Sequence, residues 1–330
     1  MARVFWSGAE GSRLLQRAGW ALEAGLLYLL WGLVRLFPVD RASRLGGRIL
    51  QWIGLRSKKN RHVLANLRVA FPDRDEQEIR RLAADSWSNL GSVLAEFVHL
   101  DRITAADPDD PRIEVVYEGC DADALRVDGP CIIVTAHVAN WELVAFVGQR
   151  ACGVLDAVYS PQNNLYLEHM VQRMREPLRC TFYGKVNAVR ALYRSLKGRR
   201  SIGLLADVRV DGGVLVPFFG MDAESTTTPA WLSLKTGRPI VPVHVERLRG
   251  ARFRITLGPP LRAERGEGES DQEVLFRTTL EINHRIEDWI RAHPDQWLCT
   301  KRRWPKAAME AAGAYRPRPG PAPTRRDPSA

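Results

Sequence analysis

From Ile113 to about residue 293 the sequence alternates short, β-branched apolar runs with segments of helix length, and this alternation is the strongest limit on its fold. Strand-like runs fall at Ile113–Tyr117, Cys131–Thr135, Val154–Tyr159, Ile202–Ala206, Val214–Phe219, Ile240–Val245 and Phe253–Leu257. Between them 141–150, 163–176, 186–197 and 229–236 read as helices, and a longer helix is predicted over 271–293 behind a Ser270-Asp271 cap. The pattern implies an α/β fold, a sheet flanked by helices.

The first hundred residues read differently. Leu45, Ile49, Trp52 and Ile53 recur at helical spacing, as do Val63, Leu64 and Leu67. Phe71-Pro72 breaks the pattern, and Asp75 with Glu78 forms a capping box that opens a helix running to about His99. The expected organisation is a helical N-terminal region (1–105), an α/β domain (106–312) and a disordered basic tail (313–330), whose Pro, Arg and Ala cannot pack a core.

The stretch Gly19–Phe37 is strongly apolar. Its uncharged core, Ala24–Val34, is too short to span a bilayer unaided, and the length just suffices if Glu23 and Arg35 are counted near its ends. A membrane helix over about 18–37, or an interfacial anchor, is the preferred reading; a buried core helix is the plainer one. Formal charge is +10 over 330 residues, unevenly placed. Residues 1–62 hold eleven Lys/Arg against three acids, the tail from 313 holds four Arg against one Asp, and 63–312 is left near −1. Basic groups beside an apolar helix suit an anionic membrane surface, and the near-neutral middle argues against a nucleic-acid binder. Their excess after the apolar stretch places the main body in the cytoplasm. Five cysteines without close pairing give neither a zinc pattern nor a disulfide framework.

Chemistry is most legible at Thr135-Ala-His137-Val-Ala-Asn140-Trp141-Glu142, between an apolar run and a helix-like one. On a continuous helix, residues five apart lie on different faces, so His137 and Glu142 can meet only if His137 precedes the helix. Asn140 is a fitting N-cap, which puts Glu142 in the first turn, able to reach back to the imidazole. A carboxylate on one ring nitrogen fixes the tautomer and leaves the other to take a proton from a hydroxyl. The plainer alternative is a histidine at a strand end with Glu142 merely favouring the helix start. No Gly-x-Ser-x-Gly elbow, phosphate loop or dinucleotide fingerprint is evident, which favours direct attack by an acceptor hydroxyl over a covalent intermediate.

A second constellation runs from Asp207-Val-Arg209 through Gly212-Gly213 to Phe218-Phe219-Gly220, and on to Thr226-Thr227-Thr228-Pro229. Asp207 ends a strand. The threonines can cap a helix and leave backbone N–H groups facing a pocket. Asp207, Arg209, Phe219, Gly220, Thr227 and Thr228 are thus candidates to touch substrate; equally, Asp207 is a turn residue and the Phe pair is core.

Together, His137-x-x-x-x-Glu142, Asp207 with Gly213-Val-x-Val-Pro-Phe-Phe-Gly220, and the Thr-rich segment into Pro229-Ala230 resemble the bacterial lipid A biosynthesis (lauroyl/myristoyl-type) acyltransferases. So do Asn66-Leu-x-x-Ala-Phe-Pro72 and Gln296-Trp-Leu-x-Thr-x-x-Arg303-Trp304. The resemblance covers about 15–306. It implies a mixed sheet of the glycerol-phosphate or lysophospholipid acyltransferase kind, on the cytoplasmic face of a bacterial inner membrane. The implied reaction moves an acyl chain from acyl carrier protein or acyl-CoA, as co-substrate and with no cofactor, to a hydroxyl of a lipid A precursor. His137 is the implied general base and Glu142 its partner; Arg175, Arg179 and Arg209 are candidates to hold an oxyanion or a lipid phosphate. The acidic carrier protein is also attracted by the basic N-terminal region. Two positions depart from the family pattern: Ser160 stands where Arg is usual and Val208 where Gln is usual. Both departures bear on the acceptor, so another glycolipid or phospholipid is an alternative, as is a non-catalytic lipid-binding role.

Overall fold

The computed structural model describes residues 13–105, 111–121, 123, 125, 129–184 and 188–315. Helices α1 (Arg13–Arg35), α2 (Val39–Arg56), α3 (Asn60–Ala70), α4 (Glu76–Glu96) and the short α5 (Leu100–Ile103) come first. The strands are β1 (Ile113–Tyr117), β2 (Ile132–Thr135), β3 (Leu155–Tyr159), β4 (Thr181–Gly184), β5 (Ser201–Leu205), β6 (Val214–Phe218), β7 (Met221–Ser225), β8 (Ile240–Arg247) and β9 (Phe253–Leu257). Interleaved and following are α6 (Leu143–Cys152), α7 (Leu165–Arg175), α8 (Ala188–Lys197), α9 (Thr228–Thr236), α10 (Asp271–Ala292) and α11 (Lys306–Ala311).

Seven strands form a mixed sheet in the order β1-β9-β8-β2-β5-β3-β4. Strands β8, β2, β5, β3 and β4 are mutually parallel; β9 pairs antiparallel with β8 and parallel with β1. The α/β expectation therefore holds, with a mixed sheet. At its centre β2 is buried at every position, as an unbroken Ile-Ile-Val-Thr run in a covered parallel strand should be. One hydrophobic core extends from Val39 of α2 through the sheet to Ala314, so α2–α5 and the sheet share it, while α1 packs with α7 in a separate small cluster.

Local chemistry sets the helix starts. Asp75 accepts from the Glu78 N–H at 2.8 Å while Glu78 bonds back, and Ser270 with Glu273 repeats the box at α10. Helix α2 is pressed onto α4 where both carry glycine: a Cβ on Gly91 would lie 2.2 Å from the Gly46 carbonyl oxygen, so only glycine permits this crossing.

Two strands were not anticipated. The edge strand β4 is four residues long and lacks an apolar run, and β7 (Met-Asp-Ala-Glu-Ser) exists because it closes an antiparallel hairpin with β6. That hairpin corrects the expected strand end at Phe219. Phe219 and Gly220 both have positive φ (51° and 72°) and form its two-residue turn. Gly313–Tyr315, expected to belong to an unpacked tail, instead pack: Ala314 is buried, its carbonyl accepts from Arg68 at 2.7 Å, and the Tyr315 hydroxyl bonds His62 Nδ1 at 2.9 Å. The rest of the expected tail lies outside the described residues. No helix among the described residues is long and apolar enough to cross a membrane.

Candidate active site

Strands β2 and β5 lie side by side with Thr135 opposite Leu205. Each chain then runs on through one alanine to a polar residue, Ala136-His137 and Ala206-Asp207, and Ala206 N–H still bonds Thr135 O at 3.0 Å. Parallel register carried two residues beyond the strand ends puts His137 against Asp207. His137 Nδ1 lies 2.8 Å from Asp207 Oδ1. The carboxylate can only accept, so Nδ1 carries the hydrogen and neutral His137 keeps its lone pair on Nε2.

This corrects the expected pairing of His137 with Glu142. The reason lies in the connecting loop. Val138 N–H bonds Ala136 O at 2.8 Å, a three-residue turn with His137 at its apex, and Ala139 adopts φ +48°. Asn140 does not cap the helix; its Nδ2 donates to Glu96 Oε2 at 2.9 Å. Helix α6 begins only at Leu143, with Glu142 at its cap position and no side-chain cap bond. The Glu142 carboxylate is held by Arg175 of α7 through a two-pronged pair, Nε to Oε2 at 2.9 Å and Nη2 to Oε1 at 2.6 Å.

Asp207 is 3% exposed and fully partnered: its second oxygen accepts from Trp297 Nε1 at 3.2 Å. Burial pushes its carboxyl up, but the charge His137 carries when protonated, the His137 hydrogen bonds and the Trp297 donor outweigh burial and hold it below the usual carboxylate range. Trp297 stacks against Phe219 and packs on Phe218, and Trp304 Nε1 donates to Phe218 O at 2.9 Å. Leu298 N–H bonds His137 O at 2.8 Å, and Ala139 N–H bonds Gln296 O at 3.1 Å. The segment 296–298 therefore grips both halves of the pair.

Two sequence motifs prove to be parts of one clamp. Asn66 Nδ2 donates to Cys299 O and Lys301 O at 2.7 and 2.6 Å, and its Oδ1 accepts from Arg303 N–H at 3.1 Å. Arg303 then reaches Glu224 O and Ser225 Oγ on β7. Beneath the loop, buried Glu96 accepts from Ser43, Asn140 and Arg247, so its charge is compensated.

His137, Trp141, Glu142 and Arg175 line a cavity of about 290 Å³ whose remaining wall is largely apolar, including Leu155, Ala157, Gly203 and Leu205. The Arg175 guanidinium carbon sits 4.5 Å from the Phe182 ring centroid, with Tyr159 and Phe97 further round it, and its buried Nη1 has no partner. Burial pushes the Tyr159 phenol up, aided by the Glu168 carboxylate it donates to. Behind α7, Trp31, Phe97, Met170 and Met174 bound a second cavity of about 500 Å³.

The other sequence candidates fall elsewhere. Arg209 pairs with Asp211 and Glu224 at 2.5 and 3.2 Å, and Arg179 is exposed. Thr227 and Thr228 begin α9, where the N–H of Thr228 is met by Thr226 Oγ1, and Phe219-Gly220 is the hairpin turn. None of these lines the cavity. Arg179 and Arg209 are held away by the elements that carry them, and Phe219, with its N–H on Glu287 at 2.8 Å, is a support for Trp297 rather than a wall. Trp297 and Gln296 were not anticipated as site residues. The signal for the true pair was the repeated strand-Ala-polar ending at 137 and 207. Among the described residues no cluster of three or more His, Cys, Asp or Glu could hold a metal. All five cysteines are free; burial pushes the Cys180 thiol up to about 12 and raises Cys299 as well, so neither offers a thiolate at neutral pH.

Residues 13–306 match the family described as bacterial lipid A biosynthesis acyltransferase. A lipid A biosynthesis palmitoleoyltransferase of Escherichia coli (strain K12) is 24% identical over 302 residues, covering 88% of this chain and 92% of that protein. A lipid A biosynthesis acyltransferase of Shigella flexneri matches to the same extent. The crystal structure of a 1-acyl-sn-glycerophosphate (LPA) acyltransferase from Thermotoga maritima aligns with a TM-score of 0.36 at 17% identity, over 76% of this chain and 98% of that one.

Proposed function

This chain belongs to the bacterial lipid A biosynthesis acyltransferase family and is an acyltransferase; from that premise we propose that it moves a fatty acyl chain from acyl carrier protein, or from acyl-CoA, to a hydroxyl of a lipid A precursor, with His137 as general base. The observation that carries this reading is the His137–Asp207 pair at the wall of an apolar cavity that also holds a fixed cation, Arg175.

The acceptor hydroxyl gives its proton to His137 Nε2 as its oxygen attacks the thioester carbonyl carbon. Asp207 holds the Nδ1–H and supports the imidazolium as it forms. Arg175, braced by Glu142 and with Nη1 unpartnered, supplies positive charge for the developing oxyanion. Collapse breaks the C–S bond, and the proton on Nε2 passes to the departing thiolate sulfur. Glu142 thus acts on the cation rather than on the base. The apolar wall takes the first part of the acyl chain.

The setting proposed for this reaction is the cytoplasmic face of a bacterial inner membrane, where the basic N-terminal region meets anionic lipid and the acidic carrier protein. A second reading keeps the chemistry and changes the acceptor to another glycolipid or phospholipid. What favours it is Ser160, which lines the cavity where the family pattern has Arg, so one cation for an anionic acceptor is missing. Acyl transfer by purified wild-type chain and its His137→Ala variant, from acyl carrier protein and acyl-CoA donors, tests the reaction. Mass spectrometry of lipids from a deletion strain tests the acceptor: lipid A short of one acyl chain supports the first reading, and intact lipid A with another lipid underacylated supports the second.

A further inference from the structure

Helix α1 is fastened to the body along one stripe, from two turns inside its start to its C-terminal end. Two to three turns in, Asn164 Nδ2 donates to Trp20 O at 2.9 Å and to Glu23 Oε2 at 3.1 Å. Near its end, Arg35 forms a two-pronged pair with Asp101 and donates to Val98 O, while His99 Nε2 lies 3.3 Å from Val34 O. Between these pins Ala24, Leu27 and Trp31 pack on Leu167, Met170 and Met174 of α7. The pins are fifteen residues apart, about 22 Å along a helix. A bilayer's hydrocarbon layer is about 30 Å thick. Were α1 to cross it, one pinned end, with the Asn164 or the Asp101 side of the catalytic body attached, would be drawn into hydrocarbon, where its polar groups would lose water.

From Leu22 onward the outward face of α1 is apolar; before it Gln16 and Arg17 are exposed. Leu22 is 77% exposed, and Leu26, Leu29, Leu33 and Leu36 are exposed with it. The apolar track continues through Phe37 to α2, where Leu45, Ile49, Ile53 and Trp52, at 60% exposed, form a second stripe. Exposed arginines 41, 44, 48 and 56 flank that stripe, and Arg56 lies 4.6 Å over the Trp52 ring. The two acids of these helices both turn inward, Glu23 to Asn164 and Asp40 to the Ala251 N–H and Arg112. Helix α2 cannot swing free, because its opposite face is locked on α4 through Gly46 and Gly91.

We infer that α1 and α2 form a rigid platform that seats the protein in one leaflet of an anionic phospholipid bilayer, both helices lying in the interface, with no transmembrane segment formed by α1. Apolar stripes enter the acyl boundary and the α2 arginines meet lipid phosphates. This deepens the membrane setting of the proposed function, yet it stands on packing and charge alone.

The test uses the full chain with an epitope tag before Met1, in inside-out vesicles from the producing cells. Protease added outside should remove tag and body together; a tag protected while the body is digested overturns the inference. With purified protein, flotation should show binding to phosphatidylglycerol-containing vesicles and little to phosphatidylcholine alone. Ile49→Asp with Trp52→Asp should weaken that binding about tenfold or more at an unchanged melting temperature, because two interfacial apolar groups are lost. Arg44→Glu with Arg48→Glu should remove the preference for anionic lipid without touching the apolar stripe. Undiminished binding by the first pair, or equal binding to both lipids by the wild type, counts against the platform. No readout here is acyl transfer, so this inference and the proposed reaction can fail separately.

Discussion

Glu142 and Asp207 are two carboxylates beside one histidine, and they are held in different ways. Asp207 is buried at a strand end, with one oxygen on His137 and the other on Trp297. Glu142 sits at the start of α6 with both oxygens on Arg175, which is itself ringed by Phe97, Tyr159 and Phe182. The first carboxylate therefore governs where a proton can rest, and the second governs where a positive charge stands. Nearness in sequence picked out Glu142 as the imidazole's partner; nearness across two parallel strands picked out Asp207.

The sharpest way to break this contrast is at the proposed base and its buried partner. His137→Ala should lower kcat/KM for acyl transfer by about 10,000-fold, and Asp207→Asn by nearly as much, since an amide no longer fixes the tautomer. Circular dichroism should show both variants folded. Asp207 also contributes to stability with a definite sign. Its folded pKa is depressed, so its contribution is present above the ordinary carboxylate value of about 3.9 and is lost as pH falls through the lower, folded one. Acid denaturation of Asp207→Asn should therefore be shallower below about pH 4 than that of the wild type.

Next in size is the Glu142–Arg175 pair. Arg175→Met and Glu142→Gln should each cost about 100- to 1000-fold in kcat. A double-mutant cycle should give a coupling of about 1–3 kcal/mol between those two positions and little between Glu142 and Asp207. A large Glu142–Asp207 coupling would return Glu142 to the imidazole and dissolve the distinction. Trp297→Phe removes one donor from Asp207 while keeping the aromatic packing, and should slow transfer about tenfold. Smallest of all, Arg209→Gln and Thr227→Val should stay within about twofold of wild type in the same assay, since Arg209 is paired with Asp211 and Glu224 away from the cavity and Thr227 lies off it.

Six of the sheet's seven strands were legible because they are apolar runs of strand length, and β1 and β9 fall where the sequence places them, residue for residue; the edge strand β4, Thr-Phe-Tyr-Gly, has no such run. The capping boxes at Asp75 and Ser270 were legible because a cap is a local contact between residues three apart. β7 was not, because an alternating Met-Asp-Ala-Glu-Ser acquires its conformation only from its hairpin partner. The site divides along the same line. His137 could be read from its place at the end of a strand. Its bond to Asp207 spans seventy residues and depends on strand order, with β5 next to β2, which no local pattern encodes. Asn140 was misread as a cap because a buried carboxylate from another helix, Glu96, fixes its Nδ2, and its Oδ1 then meets no helix N–H.

The continued register of β2 and β5 has a consequence for how this centre comes into being. Zipping the two strands delivers the imidazole and its carboxylate to the same height in one motion, and the 296–298 segment then fixes both. Inserting one residue just after the last paired position of either strand, Thr135 or Leu205, would spare the register behind it, set the two groups a full rung apart, about 3.3 Å, and turn one side chain toward the opposite face. A folded protein with silent chemistry is the expected phenotype of such a change.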